Sequence, residues 1–198
     1  MDTVGHREDL MAGAKRCIYE RGYARTTARD IVAASGTNLA SIGYHYGSKE
    51  ALLNAALIEA TGDWGEEMGA AIAGVVGTGE PDPYRRFALA WDAVLATFAA
   101  HSQMLAAHFE AVIQAQHAGD VRDFLGGVLD EGRYGLAELF YGLDREREPA
   151  TAWAVGCFLN AMLTGLMTQW LVSPEQCPNG TQLSQALRAI VEPAVVSS

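Results

Sequence analysis

The chain has 198 residues, of which 49% are hydrophobic and 19% charged. This composition predicts a globular protein that buries a sizeable core, and it excludes a disordered chain. The formal net charge of −10 argues against a uniformly basic nucleic-acid-binding protein, but residues 1–53 carry +1 and the remainder carries −11. This uneven distribution of charge favours a weakly basic N-terminal segment, called the head, followed by an acidic remainder, called the body.

The first helix is predicted over residues 6–21, with Gly22 as its C-cap. Its apolar residues recur at helical spacing, namely Leu10, Met11, Ala14, Cys17 and Ile18. The next helix begins at Thr26 or Thr27, and Thr27 with Asp30 forms a variant of the capping box. The N-terminus carries acidic residues and no apolar run, so we do not expect a secretory signal.

The stretch Ile31–Glu50 predicts a short helix, a tight turn at Gly36, a second short helix, a break at Gly47 and the start of a third helix. A helix, a short Gly-containing turn and a second helix is the helix-turn-helix pattern. The second helix of this motif enters the major groove of DNA.

A helical wheel centred on Ile42 places Asn38 and Tyr46 on the same buried face. The opposite face then carries Thr37, Ala40, Ser41 and Tyr44, and the flanks carry Leu39, Gly43 and His45. Small side chains at the start of this helix would let it approach base edges closely. Tyr44 and His45 at its end would donate hydrogen bonds to phosphate oxygens.

Lys49 follows Ser48, a good N-cap, and therefore lies in the first turn of a helix. A cation there opposes the helix dipole, unless an anion docks at the same helix end. A solvated surface lysine is the alternative interpretation. Beside Tyr44 and His45, we favour a contact with a DNA phosphate.

These residues resemble the DNA-binding end of the tetracycline-repressor (TetR) family over residues 6–55. The resemblance rests on Thr26-Thr27, Asp30-Ile31, Ala34-Ser35-Gly36 and the run from Ile42 to Leu53, which includes Tyr44-His45-Tyr46-Gly47-Ser48-Lys49-Glu50. It implies a helical repressor that is usually dimeric and often released from DNA by a small ligand, and it implies a phosphate contact for Thr27. One departure is Gly43, where many members carry an aromatic residue. The predicted DNA-binding residues are Thr27, Thr37, Leu39, Ala40, Ser41, Gly43, Tyr44, His45 and Lys49.

A long helix is predicted from Ser48 to about Val76, followed by a break over residues 77–83. Amphipathic helices of a bundle follow over residues 83–100, 102–117 and 119–141. Their large apolar residues are expected to be core. As a set they could also line an apolar ligand cavity, with His108 as a polar hook. The candidate pocket residues are Trp64, Met68, Phe87, Trp91, Phe98, Met104, His108, Phe109 and Phe124.

The uncharged run over residues 151–172 has the length and hydropathy of a transmembrane helix, but polar residues interrupt it and no positive cluster follows it. A soluble helix that is apolar all round must be buried on every side. We therefore expect it to pair with the final helix, residues 181–191, in a two-fold homodimer interface. The predicted interface residues are Gly156, Asn160, Ala161, Thr164, Gly165, Thr168, Leu187 and Ile190.

No metal site is predicted, because His101, His108 and His117 lack ligand spacing. The three cysteines form neither a disulfide framework nor a zinc motif, and reduced thiols in a cytosolic protein are expected. A redox sensor at Cys177 is the alternative. No cofactor is predicted.

Together these features predict an all-α protein with a three-helix helix-turn-helix DNA-binding domain at residues 1–47 and a helical ligand-binding and dimerisation domain at 48–198. The predicted function is a cytoplasmic repressor. It would bind a near-palindromic double-stranded DNA operator as a homodimer and be released by a small apolar or aromatic ligand. An activator, or a regulator that needs no ligand, is the alternative. No catalytic set or phosphate loop appears, so an enzyme is disfavoured. A membrane anchor over residues 151–172 is disfavoured as well, because polar residues interrupt that run.

Overall fold

The computed structural model describes residues 3–115 and 119–192, and side chains over 5–75, 77–113 and 126–192. Every regular element within these ranges is helical, which confirms the predicted all-α fold. The elements are α1 (Thr3–Arg21), α2 (Ala28–Ser35), α3 (Leu39–Tyr46), α4 (Lys49–Val76), α5 (Pro83–Thr97), α6 (Ser102–Ala115), α7 (Gly119–Tyr141), α8 (Pro149–Val172), a 3₁₀ turn (Pro174–Gln176) and α9 (Gly180–Val191).

The chain divides into two compact units, and each is described by itself. The first unit comprises Met1–Gly65 and His101–Arg122, and the second comprises Glu66–Ala100 and Asp123–Ser198. The head unit therefore holds α1 to α3, the first part of α4, and α6. The predicted domain boundary after residue 47 stays a prediction.

The head unit is built on close packing of α1 against α2. A Cβ added at Gly13 would lie 2.8 Å from the Cβ of Ser35 and 3.1 Å from the carbonyl oxygen of Ile31, so only glycine lets the two helices approach this closely. The head core joins side chains from five helices, among them Leu10, Ile18, Ile31, Ile42, Leu52, Leu53, Met104 and Leu105.

Two hydrogen bonds link α6 and His101, the residue before it, to the end of α1 and to the loop that follows α1. The backbone N–H of Ala24 donates to the Glu110 carboxylate at 2.7 Å. The hydroxyl of Tyr19 lies 3.0 Å from Nδ1 of His101. These contacts explain why α6 belongs to the head unit although about fifty residues of chain separate it from α4's start.

The body unit is organised around Trp91, which is fully buried on α5. Its ring packs against Phe87 and Phe140 at centroid distances of 6.2 and 5.1 Å. Helix α9 lies against α5, where the N–H of Gly180 donates to the Asp92 carboxylate at 2.7 Å. A Cβ at Gly180 would lie only 1.9 Å from the carbonyl oxygen of Ala88, so glycine permits this contact.

Candidate nucleic-acid interface

The two ends of α2 are fixed by local hydrogen bonds. Thr27 is the N-cap: its hydroxyl accepts from the N–H of Asp30 at 3.2 Å, and the Asp30 carboxylate accepts from the N–H of Thr27 at 2.9 Å. This reciprocal pair is the predicted capping box. At the other end Gly36 adopts the left-handed conformation, with φ of 69°, and its N–H donates to the carbonyl of Val32. The predicted turn at Gly36 is confirmed.

Helix α3 is bounded in the same way. Asn38 is its N-cap, and its side-chain oxygen accepts from the N–H of Ser41 at 3.0 Å. Gly47 ends the helix with φ of 80°, and its N–H donates to the carbonyl of Gly43. Ser48 then accepts from the N–H of Ala51 at 3.0 Å, which places Lys49 at the first position of α4 as predicted.

The outward face of α3 consists of Leu39, Ala40, Gly43 and Tyr44, all of which are exposed. This set follows the spacing i, i+1, i+4, i+5, which is one side of a helix. Tyr44 is the most exposed member at 78%, and Leu39 is 53% exposed. The ring of Tyr44 meets the ring of His45 edge-to-face at 4.8 Å. His45 is half-buried.

The helical wheel was wrong for Ser41 and for Asn38. Ser41 is buried together with Ile42, at 8% and 4% exposure, so the centre of the inward face lies between these two residues. The buried face of α3 is therefore rotated about the helix axis by about half a residue step, or roughly 50°, from the direction of Ile42 on which the wheel was centred. Asn38 is exposed, because it precedes α3 as its cap and does not share the buried face.

Tyr46 is half-buried beside α1. Its hydroxyl donates to the carbonyl of Arg7 at 3.0 Å, and the guanidinium of Arg7 lies 5.8 Å from its ring. Burial raises the pKa of Tyr46 above its usual range. This residue therefore anchors the end of α3 to α1.

Lys49 makes contacts within the head. Its Nζ donates to the carbonyl of Thr26 at 3.3 Å and lies 3.3 Å from a carboxylate oxygen of Glu50. The side chain is 30% exposed. It ties the segment before α2 to the start of α4, which is a structural role that the sequence did not reveal.

The hydroxyl of Thr27 is committed to its own cap. It donates to the Asp30 carboxylate at 2.6 Å, and the other oxygen of that carboxylate lies 3.0 Å from the guanidinium of Arg21. The hydrogen bonds from Thr27, with the nearby Arg21 charge, hold the pKa of Asp30 below its usual range. Thr37 is half-buried and shares a 2.7 Å hydrogen bond with the hydroxyl of Ser35.

Two exposed cations that the sequence reasoning did not select flank the N-cap of α2. Arg25 precedes Thr27 and donates from Nε to the carbonyl of Arg21 at 2.7 Å, and Arg29 lies in the first turn of α2. Glu20, Arg21 and Arg25, all exposed, line an open surface depression of about 260 Å³. Cations at a helix start were the signal used for Lys49, and the same signal would have selected Arg29.

The predicted ligand-pocket residues divide between the two units. Trp64, Met104, His108 and Phe109 belong to the head unit, and Met68, Phe87, Trp91 and Phe98 to the body unit. The side chain of Phe124 lies outside the described residues. His108 is half-buried, and burial lowers its pKa, which favours the neutral imidazole.

The body unit contains a small cavity beside these aromatic residues. It is lined by Ile72, Pro83, Arg86, Phe87, Ala90, Phe140 and Tyr141. Its volume is about 10 Å³, which is room for about one water molecule. Trp91 does not line this cavity, but its ring packs against two residues that do, Phe87 and Phe140. Its indole Nε1 is buried and finds no hydrogen-bond partner among the described residues.

One predicted interface residue proves to be an internal contact. Gly156 is buried, and a Cβ there would lie 2.2 Å from the carbonyl oxygen of Arg133. It therefore serves the packing of α8 on α7 and is not part of a free surface. Of the other predicted residues, Ala161, Thr168 and Ile190 are exposed, and Asn160, Thr164, Gly165 and Leu187 are half-buried.

Helices α8 and α9 nevertheless expose large apolar side chains. The exposed members are Trp153, Phe158, Val172, Ile190 and Val191. α8 is long and apolar enough to cross a membrane, with a mean hydropathy of 1.4, but length and composition alone are weak support for a membrane span. Within the described residues, no cluster of His, Cys, Asp or Glu has the arrangement of a metal site.

Two short helices, a Gly-containing turn and an exposed outer helix face define a helix-turn-helix protein. Residues 10–56 match the model of the bacterial regulatory proteins of the tetR family. This match covers the N-terminal segment that holds the helix-turn-helix, which is about a quarter of the chain.

The HTH-type transcriptional repressor AcnR of Corynebacterium efficiens is 39% identical to the chain over 49 residues. The match covers 25% of this chain and spans about a quarter of the repressor's own length, 26%.

Solved structures share the fold along nearly the whole chain. A TetR transcription regulator from Haloarcula marismortui superposes with a TM-score of 0.58 at 21% identity, covering 94% of this chain and 95% of that one. The multidrug binding protein EbrR, complexed with proflavin, superposes with a TM-score of 0.63 at 19% identity, covering 94% and 99%. These similarities establish the fold of the chain.

The capping carboxylate of α2 gives a prediction for the pH dependence of stability. Because the pKa of Asp30 is lowered on folding, its contribution to stability is present above the unfolded pKa, about 3.9, and is lost as pH falls through the lowered value. Asp30→Asn should therefore unfold at a lower temperature than the wild type at neutral pH, and the two should converge below about pH 4.

Far-ultraviolet circular dichroism across this pH range measures the difference. Asp9→Asn, at an exposed position of α1, controls for the loss of a carboxylate elsewhere in the head. A gap between Asp30→Asn and the wild type that stays constant with pH would contradict the role of the ionised cap.

Proposed function

We propose that the protein is a DNA-binding transcriptional regulator, and specifically a repressor. The observation that carries this proposal is the outward face of α3, which is held by caps at both ends in a head that matches the tetR family. The matched relative AcnR is a transcriptional repressor, which favours repression over activation. The matched family consists of regulatory proteins, which agrees with the expectation that the chain is not an enzyme.

In this proposal α3 lies in the major groove, and Leu39, Ala40 and Gly43 face the base edges. Tyr44 and His45 donate to phosphate oxygens at the end of the helix. Thr37 and Lys49 contribute phosphate contacts at neighbouring helix starts, and Thr27 does so if its hydroxyl turns from the Asp30 carboxylate to a phosphate oxygen. Binding releases Lys49 from its internal contacts with Thr26 and Glu50, or uses the part of the ammonium that those contacts leave exposed.

The charge distribution supports one orientation on DNA. Residues 1–53 have a formal net charge of +1 and the remainder has −11. The phosphate backbone of DNA therefore repels the acidic body, whereas it does not repel the head. A head this weakly basic relies on few phosphate contacts. We therefore expect modest non-specific affinity, so that specific base contacts dominate the choice of site.

We further propose a homodimer that pairs α8 and α9 of two chains. Phe158, Ile190 and Val172 are 51%, 77% and 82% exposed, which is unfavourable for isolated chains in water. Pairing these faces would bury them and give each operator two α3 helices. Half-sites about one turn of DNA apart, roughly 34–36 Å, would then form a near-palindrome.

We also propose that a small apolar or aromatic ligand releases the DNA, with the body unit around Trp91 as the binding region. A buried donor without an acceptor costs about 1–3 kcal/mol, and a ligand oxygen would remove this cost. The multidrug binding protein EbrR, which has this fold, is complexed with proflavin. The small cavity must open to admit such a ligand, and that opening couples binding to a conformational change.

We also propose that the protein works in the cytoplasm and does not insert in a membrane. We keep residues 1–47 as the proposed DNA-binding domain and 48–198 as the proposed ligand-binding and dimerisation domain.

The phosphate contacts predict a uniform loss of DNA affinity. Tyr44→Ala and Lys49→Ala should each weaken binding about three- to tenfold on specific and unrelated DNA alike, because a phosphate contact carries no base information. Lys49→Ala should also reduce the slope of log affinity against log salt by about 1. Fluorescence anisotropy at several salt concentrations measures both quantities.

Tyr141→Ala removes a tyrosine that is 49% exposed in the body unit, and it should leave DNA affinity unchanged. An unchanged salt slope in Lys49→Ala would assign this residue to the internal contact with Thr26 alone.

The proposed dimer predicts that one charge on α8 dissociates the protein. Phe158→Asp should sediment as a monomer, because pairing would bury an unpaired carboxylate. Its affinity for DNA with two half-sites should fall about 100-fold or more, since the second head no longer binds from the same particle. Ile113→Asp, at a 60% exposed position of α6, should remain dimeric. A dimer that survives Phe158→Asp and Ile190→Asp would refute this interface.

The proposed ligand site predicts a dependence on the indole N–H of Trp91. A set of neutral aromatic compounds, each paired with an analogue that lacks the carbonyl oxygen, is screened for release of bound DNA. Releasing compounds should carry the oxygen, and Trp91→Phe should bind them about tenfold more weakly, the loss expected for one hydrogen bond in a buried site. Trp153→Phe, a change at a partly exposed tryptophan, is the control. Release that is equal for both members of each pair would contradict the role of Trp91.

A further inference from the structure

The outward face of α3 is unusually poor in hydrogen-bonding groups for a surface that reads DNA. Leu39 projects an apolar side chain that is 53% exposed, and Ala40 and Gly43 are exposed beside it. Tyr44, one turn from Ala40, is the polar member of the face. The first turn of the helix, where a recognition helix meets base edges, is therefore apolar.

The side chains that usually recognise purines are absent from this helix. All of α3, from Leu39 to Tyr46, is described, and it contains no Arg, Lys, Asn or Gln. Guanine is read by Arg or Lys, and adenine by the paired donor and acceptor of Asn or Gln. The neighbouring Asn38 precedes the helix as its N-cap, and its side-chain oxygen accepts the N–H of Ser41, which holds the amide in the cap.

One feature of the major groove matches an apolar side chain. The C5-methyl group of thymine is the apolar group on the base edges there, and Ala or other apolar side chains contact it. Leu39 offers methyl groups at the first position of α3. Ala40 and Gly43 add little bulk, and a Cβ at Gly43 would meet no atom within 4 Å, so nothing obstructs close approach on that side.

We propose that Leu39 and Ala40 read the methyl groups of thymine, so that each operator half-site carries T·A pairs where the start of α3 meets the groove. This inference rests on the proposed function as a DNA-binding regulator. It names the chemical feature of the DNA that this protein recognises, and it makes Leu39 the main specificity-determining residue.

The test begins with the full-length protein and a pool of random duplex DNA. Bound sequences are enriched through several rounds, and the resulting operator is synthesised with single thymines replaced by deoxyuridine. Uracil pairs with adenine as thymine does and differs only by the missing C5-methyl group. The replacement is made at equivalent positions of both half-sites.

At one or two positions of each half-site, deoxyuridine should weaken binding about three- to fivefold per methyl group, as expected for one buried apolar carbon. At least one of these positions, the one read by Leu39, should become insensitive to deoxyuridine in Leu39→Ala, because that contact is already lost, whereas a position read by Ala40 should keep its sensitivity. Leu39→Met, which keeps an apolar side chain, should retain the sensitivity. Ile113→Ala removes an exposed apolar side chain outside α3 and should behave as the wild type.

The outcomes separate the inference from the function it rests on. Tight binding of an enriched operator that tolerates deoxyuridine at every position overturns methyl recognition and leaves the regulator intact. Sensitivity that persists unchanged at every position in Leu39→Ala assigns the methyl contacts to other residues and overturns the role of Leu39. A pool from which no sequence is enriched refutes the proposed function, and the inference with it. Leu39 lies outside the core, so loss of folding does not confuse these results.

Discussion

The rotation of α3 about its own axis depends on the inward burial of Ser41 and Ile42. This contact determines that Leu39, Ala40, Gly43 and Tyr44 face outward, and a rotation by one residue would replace half of that surface. The burial itself requires α1 and α2 to lie close together, which the missing side chain at Gly13 permits. The proposed interface therefore depends on residues that would never touch DNA.

Hydrogen bonds at the helix ends reinforce this placement. Thr27, Asn38 and Ser48 each accept a backbone N–H at the start of a helix, and Gly36 and Gly47 end helices with positive φ. Each cap contributes about 1 kcal/mol, so together they hold two eight-residue helices that would be unstable as isolated peptides. Lys49 adds a link from α4 to the carbonyl of Thr26, and so one residue serves both the fold and the proposed DNA contact.

The body unit differs from the head in how its polar groups are satisfied. The N–H of Gly180 meets Asp92, and the hydroxyl of Ser184 donates to the carbonyl of Tyr84 at 2.8 Å. The indole N–H of Trp91 has no such partner among the described residues. In the proposed regulator the body unit needs two states, and an unsatisfied core group is one physical source of the second state.

The sequence by itself determined most helix spans, because period, caps and glycine turns are local properties, although α1 begins at Thr3 and not at residue 6, and α5 ends at Thr97 and not at residue 100. The predicted span of 119–141 coincides with α7, and the prediction for the last helix, 181–191, differs from α9 by one residue. The exposure of Tyr44 also agreed with its place on the wheel, whereas Leu39, which the wheel placed on a flank, lies on the outward face. Ser41 was misplaced because the rotation of a short helix depends on which neighbours cover it.

Only the tertiary structure decided the remaining points. Gly156 contacts the backbone of Arg133 and not a free face, and no local pattern distinguishes a glycine that packs within the chain from one that packs between chains. The aromatic residues expected to line one pocket divide between two units, because spacing along a helix gives a face but not the element that meets it. Long-range packing resolves these choices, since it depends on residues far apart in the chain.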